Sequence, residues 1–118
     1  MEVVVFEFYN KSDLMNTFDY FRIDLNEGVI KLITANSEKD IILDKAQLKR
    51  IISNIIGIIM DWENTYVSNK LDANIIKMNV ETTDGTASNY LFKGAFPKNF
   101  HVLTEYLNSI KEENNGRV

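Results

Sequence analysis

His101, Asp61, Glu63 and Asp72 are the residues whose types could carry catalysis, and Glu38, Asp40 and Asp44 form the densest acidic cluster. Two carboxylates in unlike environments can serve as general acid and base, one held protonated and the other ionised. Asp61 and Glu63 flank Trp62, but neighbours in sequence on a helix point away from each other, so they make no dyad by themselves. A zinc or nucleophilic site needs a histidine backed by other ligands or by a nucleophile. His101 is the single histidine and the chain has no cysteine. It is expected in the first turn of the last helix, on the surface. The Glu38, Asp40 and Asp44 spacing does not fit the Asp-x-Asp-x-Asp-Gly calcium loop. Five scattered glycines supply neither a phosphate-cradling loop nor a dinucleotide fingerprint. We therefore assign no catalytic residue, no metal ligand and no cofactor. A carboxylate-dependent enzyme stays as an alternative; it requires two of Asp61, Glu63, Asp72 and His101 within reach of each other in a concave pocket.

Composition bounds the remaining classes. A chain of 118 residues, 45% apolar and 25% charged, has the size of one domain with one core; we place it at 1–112, with a flexible tail at 113–118. A net charge of −4 argues against direct nucleic-acid binding, whose affinity comes from Lys and Arg displacing counterions. It equally disfavours an anionic membrane surface. The absence of cysteine removes disulfides and thiolate chemistry and fits any redox compartment. The start Met1-Glu2-Val3-Val4-Val5-Phe6 has no basic segment, and the longest apolar run, Ile55 to Met60, is far short of the roughly 20 residues that span a bilayer. These features lead us to expect a cytoplasmic protein.

The elements can be read from pattern. Residues 2–34 are rich in β-branched and aromatic types, with strands expected near 2–9, 18–25 and 29–34. An even-length turn at Asn26-Glu27-Gly28 would pair Leu25 with Ile30, Ile23 with Leu32 and Asp24 with Lys31, sorting apolar from charged side chains. A short apolar run, Ile41-Ile42-Leu43, precedes a helix capped by Asp44 with Gln47 reciprocating and Leu43 and Leu48 as staple. Leu48, Ile51, Ile52, Ile55, Ile59 and Trp62 recur along it at helical spacing, and Ile56, Ile58 and Met60 widen its apolar arc. Such an arc is also compatible with a homodimer. Gly57 within this helix either admits a close neighbour or is merely tolerated. Trp62 reads as a core anchor rather than a stacking platform. Further on, a bulged three-residue turn at Thr83-Asp84-Gly85 would pair Val80 with Ser88, Met78 with Tyr90 and Ile76 with Phe92. Pro97 suits the first turn of a closing helix whose buried stripe is Phe100, Leu103, Leu107 and Ile110.

Trp62, the Ile76 to Val80 strand, Asp84-Gly85, Gly94 and Pro97-Lys98-Asn99-Phe100 together resemble a pattern in small uncharacterised bacterial α+β domains. Tyr20-Phe21-Arg22-Ile23 and Gly28-Val29-Ile30-Lys31-Leu32 fall in the order that pattern implies. This chain departs from it at Asp72-Ala73-Asn74, where the pattern has Asp-Gly and an aromatic. The resemblance implies a fold, no established activity and no site residues.

The expected architecture is a two-layer α+β domain, about five antiparallel strands with two helices on one face, in the order βββ(β)αββα. That leaves a sheet face open. Leu91 stands there as an apolar residue among Lys77, Asn79, Asn89 and Lys93, and Arg22 and Ile33 would join it from the first hairpin. Of these, Arg22, Ile33, Lys77, Asn79, Leu91 and Lys93 form the candidate protein-binding patch. The leading expectation is a small non-catalytic module that binds another protein, as an inhibitor, immunity protein or accessory subunit. A variant is a phage or mobile-element inhibitor that presents acidic groups to a nucleic-acid-binding protein.

Overall fold

The computed structural model describes residues 2–10, 19–34, 37–69 and 75–115. Among these residues nine elements follow in the order β1 (Val3–Asn10), β2 (Tyr20–Asp24), β3 (Val29–Ile33), β4 (Glu38–Ile42), α1 (Lys45–Ile59), β5 (Thr65–Val67), β6 (Ile75–Thr82), β7 (Ala87–Lys93) and α2 (Phe100–Asn115). The strands form one seven-stranded sheet in the order β4-β3-β2-β1-β6-β7-β5. Every adjacent pair is antiparallel except β5 and β7, which run parallel.

The class is α+β, as expected, but the sheet is larger and mixed rather than about five antiparallel strands. Two edges account for the difference. In β4 three consecutive charged residues, Glu38, Lys39 and Asp40, hide the strand, and only Ile41 is buried. At the other edge β5 is three residues long, too short to show a period. Charges on β4 and brevity in β5 are both ways of blunting a sheet edge against unwanted pairing.

Period-two alternation decides which face is buried. Phe6, Phe8, Phe21, Ile23, Ile30, Leu32, Ile41, Ile76, Met78, Val80 and Phe92 join one core cluster with Leu48, Ile52, Ile55 and Ile59 of α1 and Phe100, Leu103, Leu107 and Ile110 of α2. Both helices therefore lie on the same side, and the thinnest dimension is 20 Å. The α1 cap is a reciprocal box: Gln47 N donates to Asp44 Oδ1 at 2.8 Å and Asp44 N to Gln47 Oε1 at 3.2 Å. Trp62 meets Phe92 edge-on at 5.8 Å and Phe100 at 6.0 Å, which makes it an anchor of the core.

The hairpins test the registers. At the second, Val80 faces Ser88, Met78 Tyr90 and Ile76 Phe92, as expected. The three-residue loop closes through Thr82 N donating to Thr86 O at 3.0 Å, with Gly85 at φ 86°. At the first, Ile23 pairs with Ile30 and Asp24 with Val29, two residues away from the expected partners. The faces survive, because a shift of two keeps parity. The shift arises because Asp24 starts the turn: its Oδ1 accepts from Asn26 N at 2.9 Å and Glu27 N at 3.2 Å, and Gly28 N donates to Asp24 O at 3.0 Å with φ 72°. Leu25 is thereby drawn out of the strand into the turn. Pro97 is also displaced from expectation: it is buried in a turn that closes by Phe100 N donating to Pro97 O at 3.2 Å, ahead of α2. The segment read as tail begins within α2, whose backbone is helical through Asn115.

Gly57 resolves to the tolerated reading, since a Cβ there would meet nothing within 4 Å. Gly57→Ala is accordingly expected to stabilise the protein by about 0.5–1 kcal/mol, read as a higher urea midpoint at unchanged slope. A loss of stability would show that α1 is crowded at that point.

Candidate functional site

The face of the sheet away from the helices is built by three cross-strand rows. The first runs Glu38, Ile33, Tyr20, Tyr9, Lys77, Leu91, Thr65; the second Asp40, Lys31, Arg22, Glu7, Asn79, Asn89; the third Ile42, Val29, Asp24, Val5, Glu81, Ala87. Lys93 follows on β7 opposite Ile75 and beside Val67.

At the centre of these rows Glu7 organises its neighbours. Its Oε2 accepts from Tyr20 OH at 2.7 Å and Tyr9 OH at 3.0 Å, and its Oε1 accepts from Asn79 Nδ2 at 3.1 Å. Arg22 Nη1 stands 3.9 Å from the same Oε2, while Nη2 donates to Asp24 Oδ2 at 3.1 Å. The Glu7 side chain is 12% exposed and that of Asp24 8%. Two largely buried carboxylates are thus shared by one guanidinium, two phenols, an amide and turn N–H groups. Charge-assisted hydrogen bonds of this kind are stronger than neutral ones and hold their members in place, although the buried Nε of Arg22 has no partner among the described residues.

Protonation follows from the same contacts. Burial pushes the Glu7 carboxyl up, but the hydrogen bonds from Tyr20, Asn79 and Tyr9 and the charge of Arg22 outweigh it and hold the group below its usual 4.5. Burial and the Glu7 carboxylate push the Tyr20 and Tyr9 phenols above their usual 10. A depressed acid contributes stability that is complete above about pH 4.5 and drains as pH falls through its folded value. The raised phenols contribute stability that is complete below pH 10 and drains as pH rises through their folded values. Chemical denaturation at a series of pH values should show both limbs, and Glu7→Gln should flatten the acid one; an unchanged acid limb would assign it to other carboxylates.

Beside this network, β6, β7 and β5 border a shallow concavity of about 460 Å³, lined among others by Tyr9, Thr65, Lys77, Asn79, Asn89 and Leu91. Asn64 Nδ2 donates to Asn89 O at 2.9 Å and pins the start of β5 to its rim. Leu91 is half-buried there, and Lys77 and Lys93 are exposed.

All six residues singled out from the sequence lie on this face. Lys77, Asn79, Leu91 and Lys93 sit together on β6 and β7. Arg22 and Ile33 are not part of that group: β1 intervenes, and β2 and β3 lie three and four strands from β7, roughly 14–19 Å at ordinary strand spacing. Arg22, moreover, is engaged by Glu7 and Asp24. Sequence reasoning placed Asn89 on this face but missed Glu7, Tyr9 and Tyr20. The alternation Val5-Glu7-Tyr9 and Tyr20-Arg22-Asp24 carried the signal, but only the β1–β2 and β1–β6 registers bring those residues together.

Of the residues nominated for catalysis, Asp61, Glu63 and His101 are exposed, the first two around Trp62 and the third on α2, while Asp72 lies outside the described residues. Among the described residues no group of three or more His, Cys, Asp and Glu converges as a metal site. No helix among them is long and apolar enough to cross a membrane.

No family model, curated protein or solved structure matches the chain. The bacterial α+β pattern noted in the sequence thus gains no family from comparison, and function is argued from the open face.

Proposed function

We propose that this chain is a non-catalytic, cytoplasmic protein-binding module of inhibitor, immunity or accessory-subunit type that meets its partner with the open sheet face. The observation that supports the reading is the division of that face. One side is locked by the Glu7 network, and the adjacent side offers a concavity with half-buried Leu91 among amide and ammonium groups. A rigid surface loses little conformational freedom on binding, so more of each contact survives as affinity. An apolar residue ringed by polar groups has the make-up of a small interface core with its rim.

Affinity capture from a lysate of the native host tests the proposal with two variants of opposite placement. Leu91→Glu puts a charge in the concavity, and Val102→Glu puts one on α2, where Val102 is 39% exposed. The expected result is a stoichiometric protein that both wild type and Val102→Glu retain and Leu91→Glu loses. Loss with Val102→Glu alone would move the site to the helical face. No retained protein in any arm would contradict the binding function.

A further inference from the structure

We infer that the β6–β7–β5 side of the open face docks an acidic segment of a partner protein, an inference that rests on the protein-binding reading above. Cations and anions are distributed unevenly over the face. Arg22 is matched by Glu7 and Asp24, and Lys31 stands opposite Asp40. The side chains of Lys77 and Lys93, by contrast, are exposed and make no ion pair or hydrogen bond among the described residues.

The register makes these two ammonium groups neighbours. Lys77 faces Leu91 across the β6–β7 ladder and Lys93 is two positions further along β7, so the lysines are diagonal partners at roughly 7–8 Å between backbones. Lys77 lines the concavity of about 460 Å³ beside Leu91, and Lys93 stands one rung beyond Leu91, outside the lining. The acid on the same face of β6, Glu81, lies four residues from Lys77, roughly 13 Å along the strand and beyond a Debye length at physiological salt. Glu7, diagonal to Lys77 across the β1–β6 ladder, is taken up by Arg22 and by the Tyr9, Tyr20 and Asn79 donors, so the two lysines stay without an acid of their own on a chain of net charge −4.

A partner segment bearing carboxylates would meet both ammonium groups, while a single apolar side chain rests on Leu91 and Tyr9. The amides of Asn79 and Asn89 on the adjoining rung can take up its backbone groups. A nucleic acid suits the patch less well: two ammonium groups neutralise little backbone charge, and the surrounding protein is acidic. Peptide carboxylates spaced on one chain fit both the small number of cations and the apolar floor.

Short random peptides displayed on yeast and selected on the full-length wild-type protein alone, then compared for binding to Lys77→Glu/Lys93→Glu, provide the test. Both lysines are exposed, so this variant should melt with wild type. The expected harvest is rich in Asp and Glu with an apolar residue among them. As free peptides these should bind about tenfold or more weakly to the double variant, weaken as salt rises, and be lost on Leu91→Glu. Neutral or basic peptides that depend on Leu91 would overturn the acidic-segment inference and leave the protein-binding reading standing. Peptides indifferent to all three substitutions, or no enriched peptide, would overturn both. Displacement of the selected peptides by a thymidine oligonucleotide at comparable concentration would reassign the patch to phosphates and overturn the choice of occupant.

Discussion

Phe92→Ala is expected to destabilise the protein by about 4 kcal/mol and lower its Tm by roughly 15 °C. Phe92 is fully buried, and five other rings gather on it: Phe100 at 5.5 Å, Tyr66 at 5.6 Å, Trp62 at 5.8 Å, Tyr90 at 6.4 Å and Phe96 at 6.5 Å. These rings come from β5, β7, the α1–β5 loop, the β7–α2 loop and the start of α2. The cluster is consequently where the short edge strand and the last helix are tied to the sheet. Removing its hub deletes a large buried side chain and opens a cavity whose walls belong to separate elements, so partial collapse recovers little. Thermal unfolding by circular dichroism gives the magnitude, and Trp62 emission should shift to the red as its edge contact disappears. A fall of only a few degrees would mean that the rings repack and that the cluster is not what anchors β5.

Glu7→Ala is expected to cost about 3 kcal/mol although Glu7 belongs to no hydrophobic cluster. The loss arises less from the bonds removed than from the groups left behind. Tyr20 and Asn79 would keep donors that are partly buried, and Arg22 would retain Asp24 as its charged partner in the network. Tyr9 is exposed and can return its hydroxyl to water, which limits the effect. Urea denaturation should show a lower midpoint at similar slope, and Tyr20→Phe, which removes one donor, should cost only about 1 kcal/mol. Equal losses from the two substitutions would place the energetic centre on Tyr20 instead of the carboxylate.

Local chemistry made much of this fold legible. The Asp44 cap with Gln47, the helical stripes and the Thr83-Asp84-Gly85 turn each depend on residues close in sequence, and each appears where the pattern places it, except that α1 ends at Ile59 and Trp62 reaches the core from the loop beyond it. Departures occur where a side chain competes locally with the pattern or where the partner is remote. Asp24 begins its turn early because its carboxylate captures two backbone N–H groups, and this moves the hairpin by two residues without changing faces. β4 is concealed by its charges, and β5 acquires its identity only from parallel contact with β7.

The candidate site was legible in the same proportion. Lys77, Asn79, Leu91 and Lys93 could be placed on one face because a single hairpin register relates them. The Glu7 network could not, since β1 is paired with β6 across some seventy residues of chain, as in Phe6 with Val80, and period two alone does not say which strand lies beside which. Arg22 looked like a free binding cation for the same reason; its acidic partner across the ladder becomes visible only when β1 is set against β2.

The central claim is that the open sheet face is covered by another protein in the working state. Photo-crosslinking in the native host tests it most directly, with benzoylphenylalanine at position Leu91 in one form of the protein and at Val102 in the other. The account requires a discrete protein adduct from the Leu91 position and none from Val102. An adduct from Val102 alone, or none from either position while both forms are folded and expressed, would contradict it.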